Sequence, residues 1–345
     1  MRLILAAIFM AMTIASSASA KDAVCYNCPP QWADWASMLE AIDKEIDIQM
    51  PHDNKNSGQT LSQLLAEKDS PVADVAYYGV TTGIKAGNKG VATAYKPAKF
   101  NEIPDGLKDP DGKWFAIHYG TLGFFVNVDA LAGADVPQCF ADLTKPEYRG
   151  MVGYLDPSSA FVGYAGAVAA NIAFGGDLNN FDPAIKYFND LAKNSPIVPK
   201  QTSYARVVSG EIPILFDYDF NAYRGKYEED GNFEFVLPCE GSVRVPYVMS
   251  LVNNGPNPEW ASKFWTSFCQ IKVKQFGQML TYSLPVLLIC LLKLHLNSCQ
   301  QVTTIGLLLW IMPRWKKPNP VLVKDTCLKL DNVNRKGEPD NLSGS

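Results

Sequence analysis

Strand patterns alternate with helix patterns along this chain, and that alternation limits the possible folds more than any other feature. The segment "NKNSGQTLSQLLAEKD" is a helix whose apolar face is Leu61, Leu64 and Leu65, with Asn56 or Ser57 able to cap it. It leads into "PVADVAYYG", a strand pattern ending at Gly79. With the short strand pattern around Cys25 before it, the unit reads as a βαβ crossover on a largely parallel sheet. In "PPQWADWASMLEAIDKEI", residues Trp32, Trp35, Met38, Leu39 and Ile42 fall at helical spacing, so that aromatic stripe is assigned to the core.

Further along, "KWFAIHYGTLGFFVNVDAL" is a long β-forming run containing Gly120 and Gly123, as expected of one extended segment passing between two sheets. "MVGYLDPSSAFVGYAGAVAANIAFGG" reads as strand, turn and small-residue helix, and "NFDPAIKYFNDLAKN" as a helix capped by Asp182. "SVRVPYVMSLV" is a final strand-rich segment. The expected architecture is α/β with two lobes, each a mixed, mostly parallel sheet flanked by helices. The chain is expected to cross between them near 117–126 and again near 243–252. Ligands in such sheets settle beyond the carboxyl ends of strands, where the following helices begin.

The chain start sets the compartment. Arg2 precedes an apolar run from Leu3 to about Ile14 and the small-residue pattern Ala18-Ser19-Ala20, which predicts a signal peptide over 1–20 and an exported, periplasmic product. In an oxidising space the spacing "CYNC" predicts a local disulfide between Cys25 and Cys28, with Cys-x-x-Cys redox chemistry as the alternative. Whether Cys139 and Cys239 pair stays open. With 47% hydrophobic and 19% charged residues the chain can bury a sizeable core. Its acidic body argues against a nucleic-acid partner.

"FDYDFNAYR" places Asp217 and Asp219 one residue apart at the end of an apolar run, with Tyr218 and Tyr223 beside them. Such a group suits a catalytic pair, a metal site, a ligand clamp or a polar strand end. Three histidines in the chain, no Gly-x-Ser-x-Gly elbow and no Gly-x-x-x-x-Gly-Lys loop argue against an enzyme, a metal centre or a bound cofactor.

From Asp22 to about Trp260 the chain resembles a periplasmic solute-binding protein of an ABC importer (type II), in the group handling ferric iron, polyamines, thiamine or phosphonates. The stretches that carry the likeness include "GVATAYKP", "WFAIHYGTLGFFVNVDAL", "KPEYRGMVGYLDPSSAFVGY" and "SGEIPILFDYDFNAYR". The resemblance implies a non-enzymatic, monomeric receptor whose lobes, 21–117 with 246–265 and 118–245, close on one small solute. It implies an ABC permease as partner and no stable membrane insertion. Candidate ligand contacts are Asn56, Ser57, Gly58, Tyr78, Tyr119, Thr121, Ser158, Ser159, Tyr204, Asp217, Tyr218, Asp219 and Tyr223. The helix starts near Ser57-Gly58 and Ser158-Ser159 suit an anionic group; the carboxylates suit an amine. The adjacent tyrosine pair of the iron binders does not occur in "FDYDFNAYR", which puts an amine-bearing or zwitterionic solute ahead of iron. An exported enzyme or redox protein, or a degenerate product of the same family, is the alternative.

The tail departs from this pattern. No acidic residue occurs from Trp260 to Lys324, and from Thr266 onward ten Lys plus Arg stand against four Asp plus Glu. Moving the reading frame by one base permits family-like stretches there, so 266–345 is expected to be an aberrant, frame-shifted tail that leaves the product poorly stable.

Overall fold

The computed structural model describes residues 22–268, apart from 98, 99 and 202. The expected signal peptide, and all but three residues of the expected aberrant tail, lie outside the described residues. Among the described residues eight strands are formed: β1 (Cys25–Tyr26), β2 (Val75–Gly79), β3 (Ala92–Thr93), β4 (Phe115–Asn127), β5 (Val152–Gly153), β6 (Ile214–Tyr218), β7 (Phe233–Val236) and β8 (Arg244–Val252). Among them run helices α1 (Trp35–Ile46), α2 (Ser57–Ala66), α3 (Val80–Lys89), α4 (Phe161–Ala173), α5 (Asp182–Ala192), α6 (Tyr204–Val208), α7 (Asp219–Glu228) and α8 (Pro258–Phe268).

The strands form one sheet in the order β1-β2-β8-β4-β6-β5, with β3 also paired to β8 and β7 to β4. The β4 run of aromatic and β-branched residues serves both halves. Residues 115–121 pair with β8, and from Leu122 onward β4 pairs with β6 and β7. One half therefore holds β1, β2, β3, β8 and the start of β4; the other holds the end of β4 with β5, β6 and β7. Gly120 permits the change of partner, because a Cβ there would lie 2.5 Å from the Tyr218 ring.

The sheet is mixed, as expected, but it is mostly antiparallel and not mostly parallel. Parallel pairing is confined to its outer ends, β1 with β2 and β5 with β6, extended by single bridges at His52 and Ile197. In the middle, β8 runs antiparallel to β2, β3 and β4, and β4 antiparallel to β6 and β7. The physical reason is that the chain returns through β8 from the far half, so the strand filling the centre arrives from the opposite end.

Each half buries its own core. Phe115 packs at 4.3 Å on Trp265 of α8 in the first; Phe124, Phe140 and Phe216 form a triangle of rings 5.3–5.6 Å apart in the second. Among the described residues two disulfides are formed, Cys25–Cys28 and Cys139–Cys239; the second joins residues 100 apart and so restricts the unfolded chain over a long loop. Asp182, expected to cap α5, is instead its first residue. Among the described residues, no helix is long and apolar enough to cross a membrane.

Candidate functional site

Two helix starts face one another across the seam between the halves. At α2 the cap is Asn56, whose Oδ1 accepts from Gln59 N while Gln59 Oε1 accepts from Asn56 N, both at 2.9 Å, a reciprocal capping box. Ser57 Oγ accepts from Gly79 N at 3.1 Å, tying this start to the carboxyl end of β2. Gly58 N donates to Ser159 O of the other half at 3.0 Å, and a Cβ on Gly58 would sit 2.5 Å from that oxygen. Opposite, α4 begins at Phe161 with Ala160 as N-cap, which has no side-chain acceptor for the first-turn amides.

Between these starts lies a cavity of about 30 Å³, room for one or two waters, lined by Asn27, Pro29, Trp32, Lys55, Asn56 and Ser57 from one half and Leu155, Ala160, Phe161 and Val162 from the other. Lys55 leans over the Tyr26 ring at 4.2 Å and is paired with Asp53. Helix N-termini carry positive partial charge, so both walls favour a negative group, and an anion there shares the Lys55 ammonium with Asp53.

Tyr247 also lines the cavity and belongs to a floor of buried rings. It stacks on His118 (centroids 5.2 Å, planes 4° apart) and on Tyr77 at 5.2 Å, and meets Phe161 edge-on at 5.4 Å. Trp32 Nε1 donates to Tyr77 Oη at 2.9 Å, and that hydroxyl lies 2.6 Å from His118 Nε2. His118 Nδ1 is 3.3 Å from Tyr119 O, so assigning the ring proton to Nδ1 makes Nε2 the acceptor from Tyr77 and completes a chain of donors. Burial pushes His118 down to about 4, which keeps it neutral.

The carboxylates lie behind this floor and are occupied by their neighbours. Asp217 is buried; its oxygens accept from Tyr218 N at 2.7 Å and Asn221 Nδ2 at 3.1 Å, and burial raises it to about 7. Asp219, the first residue of α7, accepts from Thr121 N at 3.1 Å and Phe220 N at 2.9 Å. Burial raises it too, against the pull of Arg244.

Of the residues singled out in the sequence, Asn56 and Ser57 line the cavity, and Gly58 and Ser159 meet over the seam. Ser158 N turns back to Asp156 Oδ1 at 2.8 Å, in the turn before α4, so the serines do not cap that helix. Tyr218 is buried edge-on to Trp32 and Tyr247. Tyr119 lies under Arg244 at 4.9 Å, beside Thr121. Three tyrosines stand apart from the cavity. Tyr78 is buried beside Ser250, Tyr204 donates to Glu229 Oε1 at 3.0 Å, and Tyr223 packs on Phe235 at 5.5 Å.

Sequence reasoning missed Lys55, Phe161 and Tyr247 and left Trp32 in the core. The usable signal for Lys55 was its place just before the Asn56 cap of α2. Among the described residues one group has metal-ligand spacing, Cys139, Cys239 and Glu240. Its sulfurs are joined in the disulfide and Glu240 accepts from the amides of Phe140 and Ala141, so it does not fit a metal.

Residues 70–286 match the family described as bacterial extracellular solute-binding protein. An uncharacterised protein of Haemophilus influenzae is 28% identical over 267 residues, 73% of this chain and 74% of that one. Among solved structures, the periplasmic binding protein AfuA from Actinobacillus pleuropneumoniae, with fructose-6-phosphate bound, is 25% identical with a TM-score of 0.64, covering 77% of this chain and 84% of the other. Iron-bound HitA from Pseudomonas aeruginosa shares the fold at 19% identity and a TM-score of 0.59, covering 76% and 85%.

Proposed function

Since the chain belongs to the bacterial extracellular solute-binding protein family, with the two-lobed type II periplasmic binding fold, we propose that it captures a small solute through an anionic group, a phosphate ester or phosphonate, held between two lobes. The observation that carries this reading is the convergence of the α2 and α4 starts, one from each half, on a single cavity beside Lys55. Backbone amides and an ammonium group complement a phosphoryl group, while the ring floor offers a flat apolar surface to the rest of the solute. The amine-bearing solute placed ahead in the sequence reading loses ground, because Asp217 and Asp219 already accept from the protein's own amide groups. The fructose-6-phosphate in AfuA points the same way.

The lobes in this reading part where β4 exchanges β8 for β6, between Thr121 and Leu122, and the chain returns to the first lobe through β8. A solute that touches both walls stabilises the closed form by its differential contacts, and an ABC permease is the partner that receives it. The protein acts as a monomer exported to the periplasm and makes no bond change in its solute.

A thermal-shift titration of the full chain tests this. At hundredfold excess over its dissociation constant a bound solute raises Tm by about 5–10 °C. Fructose 6-phosphate or 2-aminoethylphosphonate is expected to produce such a shift, and spermidine, thiamine and ferric citrate none. A shift with spermidine, thiamine or ferric citrate, and none with the phosphoryl compounds, refutes the anionic assignment.

A further inference from the structure

One hydrogen-bond chain crosses the seam away from the two helix starts. Ala33 N donates at 3.3 Å to Oδ1 of Asn221, 188 residues further along the chain. Asn221 Nδ2 donates to both oxygens of Asp217 at 3.1 Å, and Asp217 Oδ1 also accepts from Tyr218 N. Asn221 is fully buried and Asp217 is 2% exposed. Both Asp217 oxygens accept from the Asn221 amide nitrogen, and that pairing fixes the amide with Nδ2 inward and Oδ1 toward the opposite half. The segment so held is under backbone strain, with Ala33 at φ 49° and Asp34 at φ 52°, left-handed values that non-glycine residues seldom adopt. It also carries Trp32, whose ring packs on Tyr218 and Phe220 of the other half at 5.9 and 5.3 Å.

We infer that Asn221, oriented by Asp217, is a latch that holds the two halves shut through the protein's own groups, a positioning residue for closure that needs no contact with solute. Losing the Asn221 acceptor leaves the Ala33 amide unpaired in the closed form while water can satisfy it in an open one, so the equilibrium moves toward opening. The inference rests on the reading that the halves part, and Gly58 N reports that parting independently, because its cross-seam acceptor is Ser159 O and not Asn221.

Hydrogen exchange of the full chain, with no solute present, tests it. Asn221→Ala is expected to speed exchange about three- to tenfold in peptides covering both 31–36 and 56–60, the value of one hydrogen bond, with β4 peptides unchanged. Asp217→Asn, which keeps the size of the side chain but no longer dictates the Asn221 orientation, is expected to give the same pattern at smaller amplitude, and it carries the test if the alanine variant does not fold. Acceleration confined to 31–36, or unchanged exchange in 56–60 with Asp217→Asn, overturns the latch. A chain that binds none of the phosphoryl compounds yet shows the paired acceleration keeps the latch and loses only the solute assignment.

Discussion

The cavity wall at residues 55–57 and the strand end at 217–223 make opposite uses of polar groups. The strand end is rich in ionisable side chains, yet Asp217 and Asp219 spend their acceptors on Asn221, Thr121 and adjacent amides. The wall has a single lysine, an asparagine and a serine, but it brings a helix start to the seam opposite another. Side-chain charge marks the scaffold here, while backbone donors and one ammonium group face the gap. The two regions should therefore respond differently to substitution, the floor through stability and the wall through binding.

The largest effect is expected at the floor. Tyr247 contacts the rings of Trp32, Tyr77, His118, Phe161 and Tyr218, so Tyr247→Ala should cost about 3–5 kcal/mol in a urea melt. A loss under about 1 kcal/mol would mean that the rings do not form a packed floor.

The next effect separates two buried groups by pH. Asp217 keeps its proton up to about 7 in the folded chain against 3.8 ordinarily, so its contribution is full below about 4 and is lost as pH rises toward 7. His118 titrates near 4 against 6.5, so its contribution is full above 6.5 and is lost as pH falls through 4. Each arm has a limiting slope of about 1.4 kcal/mol per pH unit, and the two oppose each other between pH 4.5 and 6.5. Asp217→Asn should therefore make stability climb with pH across that window, and His118→Phe should make it fall. Parallel slopes in the two variants would show that these groups are not the titrating pair.

The smallest effect on stability is expected at the wall. Lys55→Gln should change the unfolding free energy by no more than about 0.5 kcal/mol while weakening binding of the phosphoryl probe about tenfold by calorimetry. Equal affinity in the two proteins would move the anion away from Lys55.

How far each feature could be read from the sequence follows from the range of the interaction behind it. The α2 cap was legible because Asn56 and Gln59 satisfy one another three residues apart. The service of β4 to both halves was legible because thirteen strand-forming residues cannot all pair within one small half, although the two sheets expected there are one continuous sheet. The antiparallel centre was not, since the pairing of β8 with β2 joins Val75 to Leu251 and no local pattern encodes that choice. The pairing of Cys139 with Cys239 was left open for the same reason. At the site, Asp217 looked available because Asn221, its partner four residues on, is itself turned by a contact with Ala33. Ser158 and Ser159 looked like a helix start, but the amides of Ser158, Ser159 and Ala160 turn back to Asp156 and the helix begins two residues later.

The long strand β4 has a mechanical consequence. Its ladder continues past the change of partner, where Leu122 N donates to Val243 O at 3.0 Å, so the halves are joined by paired backbone and not by a slack tether. Rotation of one half against the other must then be taken up by twist and bend of that paired ribbon. A hinge that keeps its ladder bonds returns the same two surfaces to the same register each time they meet.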